Sequence, residues 1–202
     1  MAYYFMAKDA GIQMTECRLL EENGRAHFMT RRFDRENGKG KLHVQSFCSM
    51  AHLDFNNIID YSYEQLFETM RKLLLPYSEA EQLYRRMVFN NVASRNCDDH
   101  TKNFSFIMDK TGQWKLAPAY DACHAYRPDS NWVNQHCLSI NGKRKDITRQ
   151  DLLSVARKMN IKRPRQIIDQ VASVVSGWKG YAEDAGVSQD LRDAIQKTLL
   201  SL

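Results

Sequence analysis

The chain has 202 residues, of which 43% are hydrophobic and 26% are charged, and its formal net charge is +5. This length suits one domain, or one lobe with appendages, and the composition supplies a substantial core, while so small a charge permits a polyanionic partner without indicating one. The sequence contains no apolar run near the ~20 residues that span a bilayer, and its N-terminus does not have the pattern of a secretory signal, so we expect no membrane association.

The first predicted elements are a helix and a hairpin. Residues 2–10 have a helical pattern that ends at Gly11. Residues 15–33 predict a β-hairpin, because the pair Asn23-Gly24 favours the positive φ angles of a tight turn. A polar, glycine-containing loop, residues 34–41, follows this hairpin.

Two helices are predicted next, at about 63–75 and 79–94, and Pro76 separates them. Ser62 with Gln65, and Ser78 with Glu81, have the spacing of capping boxes at the starts of these helices. The stretch NCDDHTKNFSF, residues 96–106, is a dense polar loop that leads into a buried strand. That strand, FSFIMD, and the later WKLAP flank KTGQ and predict a second hairpin with period-2 alternation.

The last third of the chain reads as helices. The pattern predicts helices at 149–160, 164–176 and 188–201, with Thr148 and Ser188 as N-caps. Two hairpins among mostly helical segments indicate an α+β, helix-rich fold.

Three polar residues around the second hairpin suggest phosphoryl-transfer chemistry. Asp98 and Asn103 lie five residues apart before the hairpin, and Asp121 follows it. A D-x-x-x-x-N loop, a hairpin and a further aspartate occur in this order in the large lobe of protein kinases. There the first aspartate accepts a hydroxyl proton, and the other two residues hold magnesium. The match is partial, because the chain has neither His-Arg-Asp nor Asp-Phe-Gly in these places. Lys102 could neutralise the transferring phosphoryl group.

Longer stretches resemble one family. NCDDHTKNFSF, WKLAPAYD and LSINGKRKDIT are similar to segments of the HipA family, the serine/threonine kinase toxins of bacterial toxin–antitoxin modules. MAKDAGIQMTECRLLEENGRAHFMTRRFDR, near the N-terminus, resembles that family's path from a helix through a hairpin to the interlobe hinge. The resemblance implies a protein-kinase-like large lobe, ATP and Mg²⁺ as cofactors, a protein substrate and a DNA-binding antitoxin partner.

The resemblance also implies site roles. Asp98 would be the proton acceptor, and Asn103 and Asp121 the magnesium ligands. The nucleotide would contact the hinge and the polar loop through the following residues: Arg31, Arg32, Phe33, His100, Thr101, Lys102, Asn103, Tyr120 and Asp121.

The same resemblance predicts a division of the chain. Residues 1–33 would be a remnant of the small lobe and hinge, and residues 34–202 the large helical lobe. The family's glycine-rich phosphate loop and strand lysine have no counterpart before the hinge, where Gly11 and Gly24 are the only glycines and Lys8 the only lysine. We therefore expect an N-terminally truncated kinase, a chain completed by a separate polypeptide that supplies the missing lobe, or a chain that retains only binding.

Other interpretations of the same residues stay open. The polar loop could be a solvated loop, or Cys97, His100, Cys123 and His124 could form a zinc site, although their spacing matches no structural zinc pattern. The basic run GKRK, residues 142–145, is either solvated or contacts phosphate or nucleic acid. The whole chain could be a non-catalytic interaction module. Five cysteines without a C-x-x-C pair suggest free thiols in the cytoplasm.

Overall fold

The chain forms an α+β fold in a computed structural model, which describes residues 1–36, 40–57 and 60–200. The helices within these residues are α1 Ala2–Asp9, α2 Phe47–Met50, α3 Tyr63–Lys72, α4 Tyr77–Val88, α5 Arg149–Lys158, α6 Pro164–Ser176, α7 Trp178–Asp184 and α8 Gln189–Gln196. The strands are β1 Cys17–Glu22, β2 Arg25–Thr30, β3 Arg35–Glu36, β4 Gly40–Lys41, β5 His43–Ser46, β6 Ser105–Met108 and β7 Trp114–Leu116. The helix-rich α+β class is confirmed, whereas the division into lobes at residue 33 stays a prediction.

The first hairpin forms as predicted. Strands β1 and β2 are antiparallel, with Glu22 opposite Arg25, and the turn between them has φ angles of 51° at Asn23 and 73° at Gly24. Only Cys17 of the two strands is buried. The hairpin therefore projects from the helices with both of its faces exposed.

The region after the hairpin contains strands that the sequence did not indicate. Within the predicted loop 34–41, β3 pairs with β4, and residues 37–39 lie outside the described residues. Strand β5 pairs with β6, which in turn pairs with β7, so the second hairpin belongs to a three-stranded antiparallel sheet. Residues Ser105–Ile107 are all buried, because both faces of the central strand are covered.

Side-chain capping accounts for two of the predicted helix starts, whereas Ser188 stands at the N-cap of α8 without a capping hydrogen bond. Ser62 and Gln65 form the predicted capping box at α3, and Thr148 caps α5 together with Asp151. The predicted capping box at Ser78 is wrong, because α4 already begins after Pro76, whose carbonyl oxygen accepts a hydrogen bond from the Glu79 amide. Proline fixes φ and has no N–H to satisfy, so it suits this N-terminal position.

The core packs helices α1 and α3–α7 against the three-stranded sheet. Its largest fully buried side chains are Trp178, Tyr63, Tyr84, Phe47, Phe89 and Phe106. At its C-terminal end α4 continues into a π-helical turn, Phe89–Ala93, and the polar loop follows this turn. Among the described residues, no helix is long and apolar enough to cross a membrane.

Candidate active site

The polar part of the stretch 96–106 is residues 96–103, which are called the polar loop from here on. A buried carboxylate anchors this loop. Asp99 is 1% exposed and accepts hydrogen bonds from the Tyr63 hydroxyl at 2.8 Å and from the Cys137 amide at 2.8 Å. Nδ1 of the His136 ring lies 3.0 Å from the same carboxylate. The three contacts come from α3 and from the segment after residue 133, so Asp99 ties the loop to two distant parts of the chain.

His136 carries the charge that balances this carboxylate. Burial alone would lower the pKa of His136, but the charge of Asp99 and the hydrogen bond to it, with a smaller contribution from Cys97, raise the pKa to about 10. The ring is therefore an imidazolium at neutral pH. A buried carboxylate paired in this way anchors the loop structurally. Of the two neighbouring aspartates, Asp98 is therefore the one whose carboxylate is available at the edge of the site.

Asp98 and Asn103 are joined directly. The Asn103 side-chain amide donates a 2.7 Å hydrogen bond to the Asp98 carbonyl oxygen, and the Asn103 backbone amide donates at 2.9 Å to His100. Partial burial raises the pKa of the Asp98 carboxyl, and the nearby charges of Asp121 and Asp99 raise it further, while His100 opposes them. The loop thus joins Asn103 to the backbone of Asp98, and the Asp98 carboxyl lies within electrostatic range of Asp121.

Asp121 has an unusual backbone conformation that a neighbour supports. Its φ is 55°, in the left-handed region, and its carbonyl oxygen accepts a 2.9 Å hydrogen bond from the buried amide of Asn96. Its side chain is exposed. Burial raises the pKa of the adjacent Cys123 thiol to about 11, with the charges of Asp121 and Asp98 adding to the effect. The thiol is therefore protonated near neutral pH.

Tyr120 links the polar loop to the end of the first hairpin. Its hydroxyl donates to the Lys102 carbonyl oxygen at 2.6 Å and accepts from the Ser105 hydroxyl at 2.6 Å. Its ring centroid lies 5.6 Å from that of Phe33, with the planes inclined at 33°. Phe33 and Tyr120 are thereby brought together, and their roles in nucleotide binding stay a prediction.

The remaining predicted contacts are more dispersed. The Lys102 ammonium lies 3.3 Å from the centroid of the Phe55 ring, and His100 packs edge-on against the same ring. Arg32 forms two hydrogen bonds with Asp34, at 2.8 and 2.7 Å. The Thr101 side chain is buried, and the Arg31 backbone amide donates to Glu16. Within the described part of the chain, Lys102 forms no ion pair with Asp98 or Asp121.

Two clefts meet at Asp121. The loop cleft, about 20 Å³, is lined by Asn103, Tyr120 and Asp121 together with Asn96 and other neighbours. The hairpin cleft, about 340 Å³, lies between the first hairpin and residues 120–123 and has a largely apolar lining that includes Met14 and Phe28. Its volume is in the range that small-molecule sites occupy.

The donor set fits a hard cation. Because the Asn103 amide nitrogen is engaged with Asp98, the side-chain oxygen of Asn103 is the atom left for a ligand. It shares the loop cleft with the Asp121 carboxylate, and an amide oxygen with a carboxylate matches the preference of Mg²⁺ for few protein oxygens plus phosphate.

The zinc alternative has no such convergence. Among the described residues, no three histidine, cysteine or acidic side chains are grouped closely enough to hold a metal. His124 instead lies 2.8 Å, through Nε2, from the Thr198 hydroxyl.

Sequence reasoning missed the residues that support the site. Asn96, Asp99 and His136 hold the loop and Asp121, and buried Arg86 donates a 2.7 Å hydrogen bond to the Ala117 carbonyl oxygen beside the loop cleft. The two adjacent aspartates, Asp98 and Asp99, could have indicated that one of them is buried and paired, since neighbouring carboxylates seldom share one environment. No sequence feature near residue 136 indicated the role of His136.

A family model matches most of the chain, and two curated proteins are similar to it. The model of the HipA-like C-terminal domain matches residues 1–178. A Sinorhizobium fredii protein named "Putative kinase Y4mE" is 25% identical over 197 residues, which are 92% of this chain and 40% of that protein. A Haemophilus influenzae protein named "Putative kinase" is 30% identical over 102 residues, which are 46% of this chain and 29% of that protein.

Solved structures share the fold. HipA of Shewanella oneidensis, in its complex with HipB and operator DNA, aligns with a TM-score of 0.73 and 17% identity over 98% of this chain and 51% of that one. The Helicobacter pylori proinflammatory kinase CtkA aligns with a TM-score of 0.56 and 12% identity over 97% of this chain and 78% of that one. The chain thus spans less than half of each curated relative and about half of the HipA chain.

Proposed function

This chain belongs to the HipA-like C-terminal domain family, and from that premise we propose that it is the catalytic part of a serine/threonine protein kinase that binds ATP with Mg²⁺. The observation that carries the proposal is that Asn103 and Asp121 line one cleft, while Asp98 is hydrogen-bonded through its carbonyl oxygen to Asn103 and lies close enough for the charge of Asp121 to raise the pKa of its carboxyl. In phosphoryl transfer, catalysis is mostly positioning and charge neutralisation, so such a constellation is what the reaction requires.

Each residue has a proposed role. Asp98, whose carboxyl pKa is raised by partial burial, orients the acceptor hydroxyl of a protein substrate and takes its proton. Asn103 and Asp121 hold Mg²⁺, which when bound neutralises phosphate charge. The ammonium of Lys102 is exposed at the end of the same loop and can approach the transferring phosphoryl group after leaving the Phe55 ring.

The nucleotide would occupy the hairpin cleft. The stacked rings of Phe33 and Tyr120 provide an aromatic surface beside it, and the hinge segment Arg31–Phe33 offers backbone groups to adenine. His100 and Thr101 complete the proposed nucleotide surroundings from the loop. Asp121 lies at the junction of both clefts, where the phosphates would pass from one to the other.

A toxin role in a toxin–antitoxin module follows as part of the same proposal. Its support is the family membership and the structural likeness to a HipA that was solved with HipB and operator DNA. A DNA-binding antitoxin and a cytoplasmic location would accompany that role.

Magnesium-dependent ATP binding to the purified chain tests the proposal. Titration calorimetry should detect ATP binding that Mg²⁺ strengthens, and Asp121→Ala and Asn103→Ala should remove this strengthening. Asp129→Ala, which removes an exposed aspartate outside both clefts, is the matched control and should bind as the wild type does. Absence of binding, or equal binding by the Asp121 and Asp129 variants, would exclude the kinase function for this chain on its own.

A second candidate function rests on the exposed first hairpin. Leu19 and Phe28 lie opposite each other on its strands and are 37% and 55% exposed, and Leu20 and Met29 are 42% and 37% exposed. Apolar side chains on a projecting hairpin are typical of a surface that a partner covers. The chain would then bind an antitoxin or a separate polypeptide that supplies the phosphate-binding lobe.

Co-expression with the products of neighbouring genes distinguishes the two candidates. An interaction module captures one of these products through the hairpin, loses it in the double variant Leu19→Ser, Phe28→Ser, and binds no ATP alone or in the complex. A split kinase instead acquires Mg²⁺-dependent ATP binding only in the complex.

A further inference from the structure

A third cleft, separate from the two described above, is rich in positive charge. This basic cleft, about 80 Å³, is lined by Arg95, His136, Arg144 and Lys145, with Asp146 as the one carboxylate among its lining residues. Two of these cations come from the run GKRK, which the sequence left as either a solvated loop or a phosphate contact. The charge balance of the lining favours an anion.

Three residues of the basic cleft have buried nitrogen atoms without a hydrogen bond of normal geometry in the described part of the chain. They are Nδ2 of Asn91, Nε of Arg95 and Nε2 of His136, beside which the Cys97 thiol is at most a weak acceptor. Asn91 is 2% exposed and His136 is 3% exposed, so water does not reach these atoms freely. A buried donor without an acceptor is costly and uncommon, and three in one cleft indicate a missing acceptor.

The protonation of His136 makes the set consistent. Because Asp99 engages Nδ1 and raises the pKa of the ring to about 10, Nε2 also carries a proton at neutral pH. All three of these nitrogens are therefore donors. A single ligand that only accepts hydrogen bonds could satisfy them together.

The cations are held in position by other contacts. The guanidinium carbon of Arg95 lies 3.8 Å from the centroid of the Tyr126 ring. Arg144 donates hydrogen bonds to the carbonyl oxygens of Tyr61, at 3.0 Å, and of Cys137. Lys145 is exposed at the cleft and can follow a ligand. Fixed donors lose little conformational freedom when an anion binds.

We propose that the basic cleft is a binding site for a phosphate-class tetrahedral oxyanion. Phosphate offers four acceptor oxygens and up to two negative charges, which suits donors that come from several sides, and guanidinium groups bind it through paired hydrogen bonds. A carboxylate has two oxygens and one charge and would leave part of the donor set unmatched. The source is either free phosphate or a phosphate ester on a side chain.

The site would join segments on both sides of the candidate active site. Arg95 and Cys97 precede Asp98 in the chain, and Tyr126 follows Asp121, so a bound oxyanion would bridge the two chain segments that carry the proposed catalytic and metal-binding residues. The bridging of the two segments by an oxyanion does not depend on the proposed kinase function, because it requires only that the oxyanion binds.

Titration with inorganic phosphate tests the site. At constant ionic strength, with chloride as the reference, phosphate should cause a saturable shift of the His136 Nε2–H signal in ¹H–¹⁵N spectra and should raise Tm. A titration without a saturable shift at His136 would overturn the proposal.

Variants locate the binding. Arg95→Ala and Lys145→Ala should each weaken phosphate binding by about tenfold or more, the factor expected for losing a hydrogen bond to a charged group. Lys179→Ala removes an exposed lysine on α7 and should bind as the wild type does. Lys145 is exposed, so its variant stays informative if Arg95→Ala fails to fold. Equal affinities for the Lys145 and Lys179 variants would contradict the assignment.

Two further measurements distinguish the basic cleft from the candidate active site and identify the source of the oxyanion. Asp121→Ala should leave phosphate binding unchanged even if it abolishes ATP binding; loss of phosphate binding in this variant would move the site to the loop cleft and overturn the proposal. O-phosphoserine and O-phosphotyrosine are then compared with inorganic phosphate. Tighter binding of an ester supports the site with a modified side chain as the source, and tighter binding of inorganic phosphate supports it with the free ion.

Discussion

The Tyr63 hydroxyl, on α3, donates a 2.8 Å hydrogen bond to the carboxylate of Asp99, 36 residues further along the chain. Tyr63 is fully buried, and the amide of Asn90 donates to its hydroxyl oxygen at 3.2 Å. One phenol thus fixes the carboxylate that anchors the polar loop, so the stability of the core and the geometry of the candidate active site depend on the same contact.

Replacement of this phenol should destabilise the protein without creating a large cavity. Tyr63→Phe removes one hydrogen bond to a charged group, which contributes about 1.5–3 kcal/mol to the free energy of unfolding. Tyr61→Phe is the matched control, because the Tyr61 hydroxyl donates to the Asp54 carbonyl oxygen at an exposed site and should contribute less. Urea unfolding monitored by circular dichroism measures the free energy of unfolding of both variants. Equal decreases would show that the buried hydrogen bond contributes no more than the exposed one.

Stability should depend on pH through His136. The folded-state pKa of about 10 lies above the usual value of 6.5, so this group's stabilisation is complete below pH 6.5 and is lost as the pH rises toward 10. Between pH 7.5 and 8.5 it should lower the free energy of unfolding by about 1.4 kcal/mol per pH unit. The measurement is the difference in slope between the wild type and His136→Gln, which cancels the other titrating groups. Parallel slopes would be inconsistent with a charged His136.

The cap of α3 offers a test of local chemistry. The Ser62 hydroxyl accepts a hydrogen bond from the Gln65 backbone amide at 3.2 Å. The Gln65 side-chain oxygen accepts one from the Ser62 backbone amide at 2.8 Å. Ser62→Ala should lower the free energy of unfolding by about 1 kcal/mol. Ser188 stands at the N-cap of α8 without a side-chain capping bond, so Ser188→Ala should have a smaller effect in the same urea titration.

The features predicted correctly from sequence are those determined by neighbours in the chain. The turn at Asn23-Gly24 and the caps at Ser62 and Thr148 each depend on residues within a few positions, and all formed as expected. The polar loop was found because the spacing of Asp98 and Asn103 reflects a local hydrogen bond between them.

The features that were missed depend on distant parts of the chain. Strand β5 is too short to have a clear pattern, and its partner β6 lies about 60 residues away. Asp99 looked equivalent to Asp98 in sequence, and only the approach of Tyr63 and His136 in the fold distinguishes a buried anchor from the carboxylate beside the cleft. The end of α4 was placed too late because the π-helical turn Phe89–Ala93 keeps a helical hydrophobic pattern.

Asn96 should act as a positioning residue for Asp121. The left-handed backbone of Asp121, with φ of 55°, is unfavourable for a residue with a side chain, and the 2.9 Å hydrogen bond from the Asn96 amide supports it. Asn96→Ala should therefore allow the Asp121 carboxylate to leave the place where it would hold Mg²⁺. The expected result is an affinity for Mg²⁺ in the presence of ATP that falls about tenfold, equivalent to about 1.4 kcal/mol.

The Asn96 prediction is distinguished from general destabilisation by what should not change. ATP binding measured without Mg²⁺ should be the same in Asn96→Ala and the wild type, because the proposed adenine contacts at Phe33 and Tyr120 do not involve Asn96. Asn56→Ala, at an exposed asparagine outside both clefts, should alter neither titration. If Asn96→Ala weakens ATP binding equally with and without Mg²⁺, then Asn96 supports the loop as a whole, and the specific link to Asp121 is wrong.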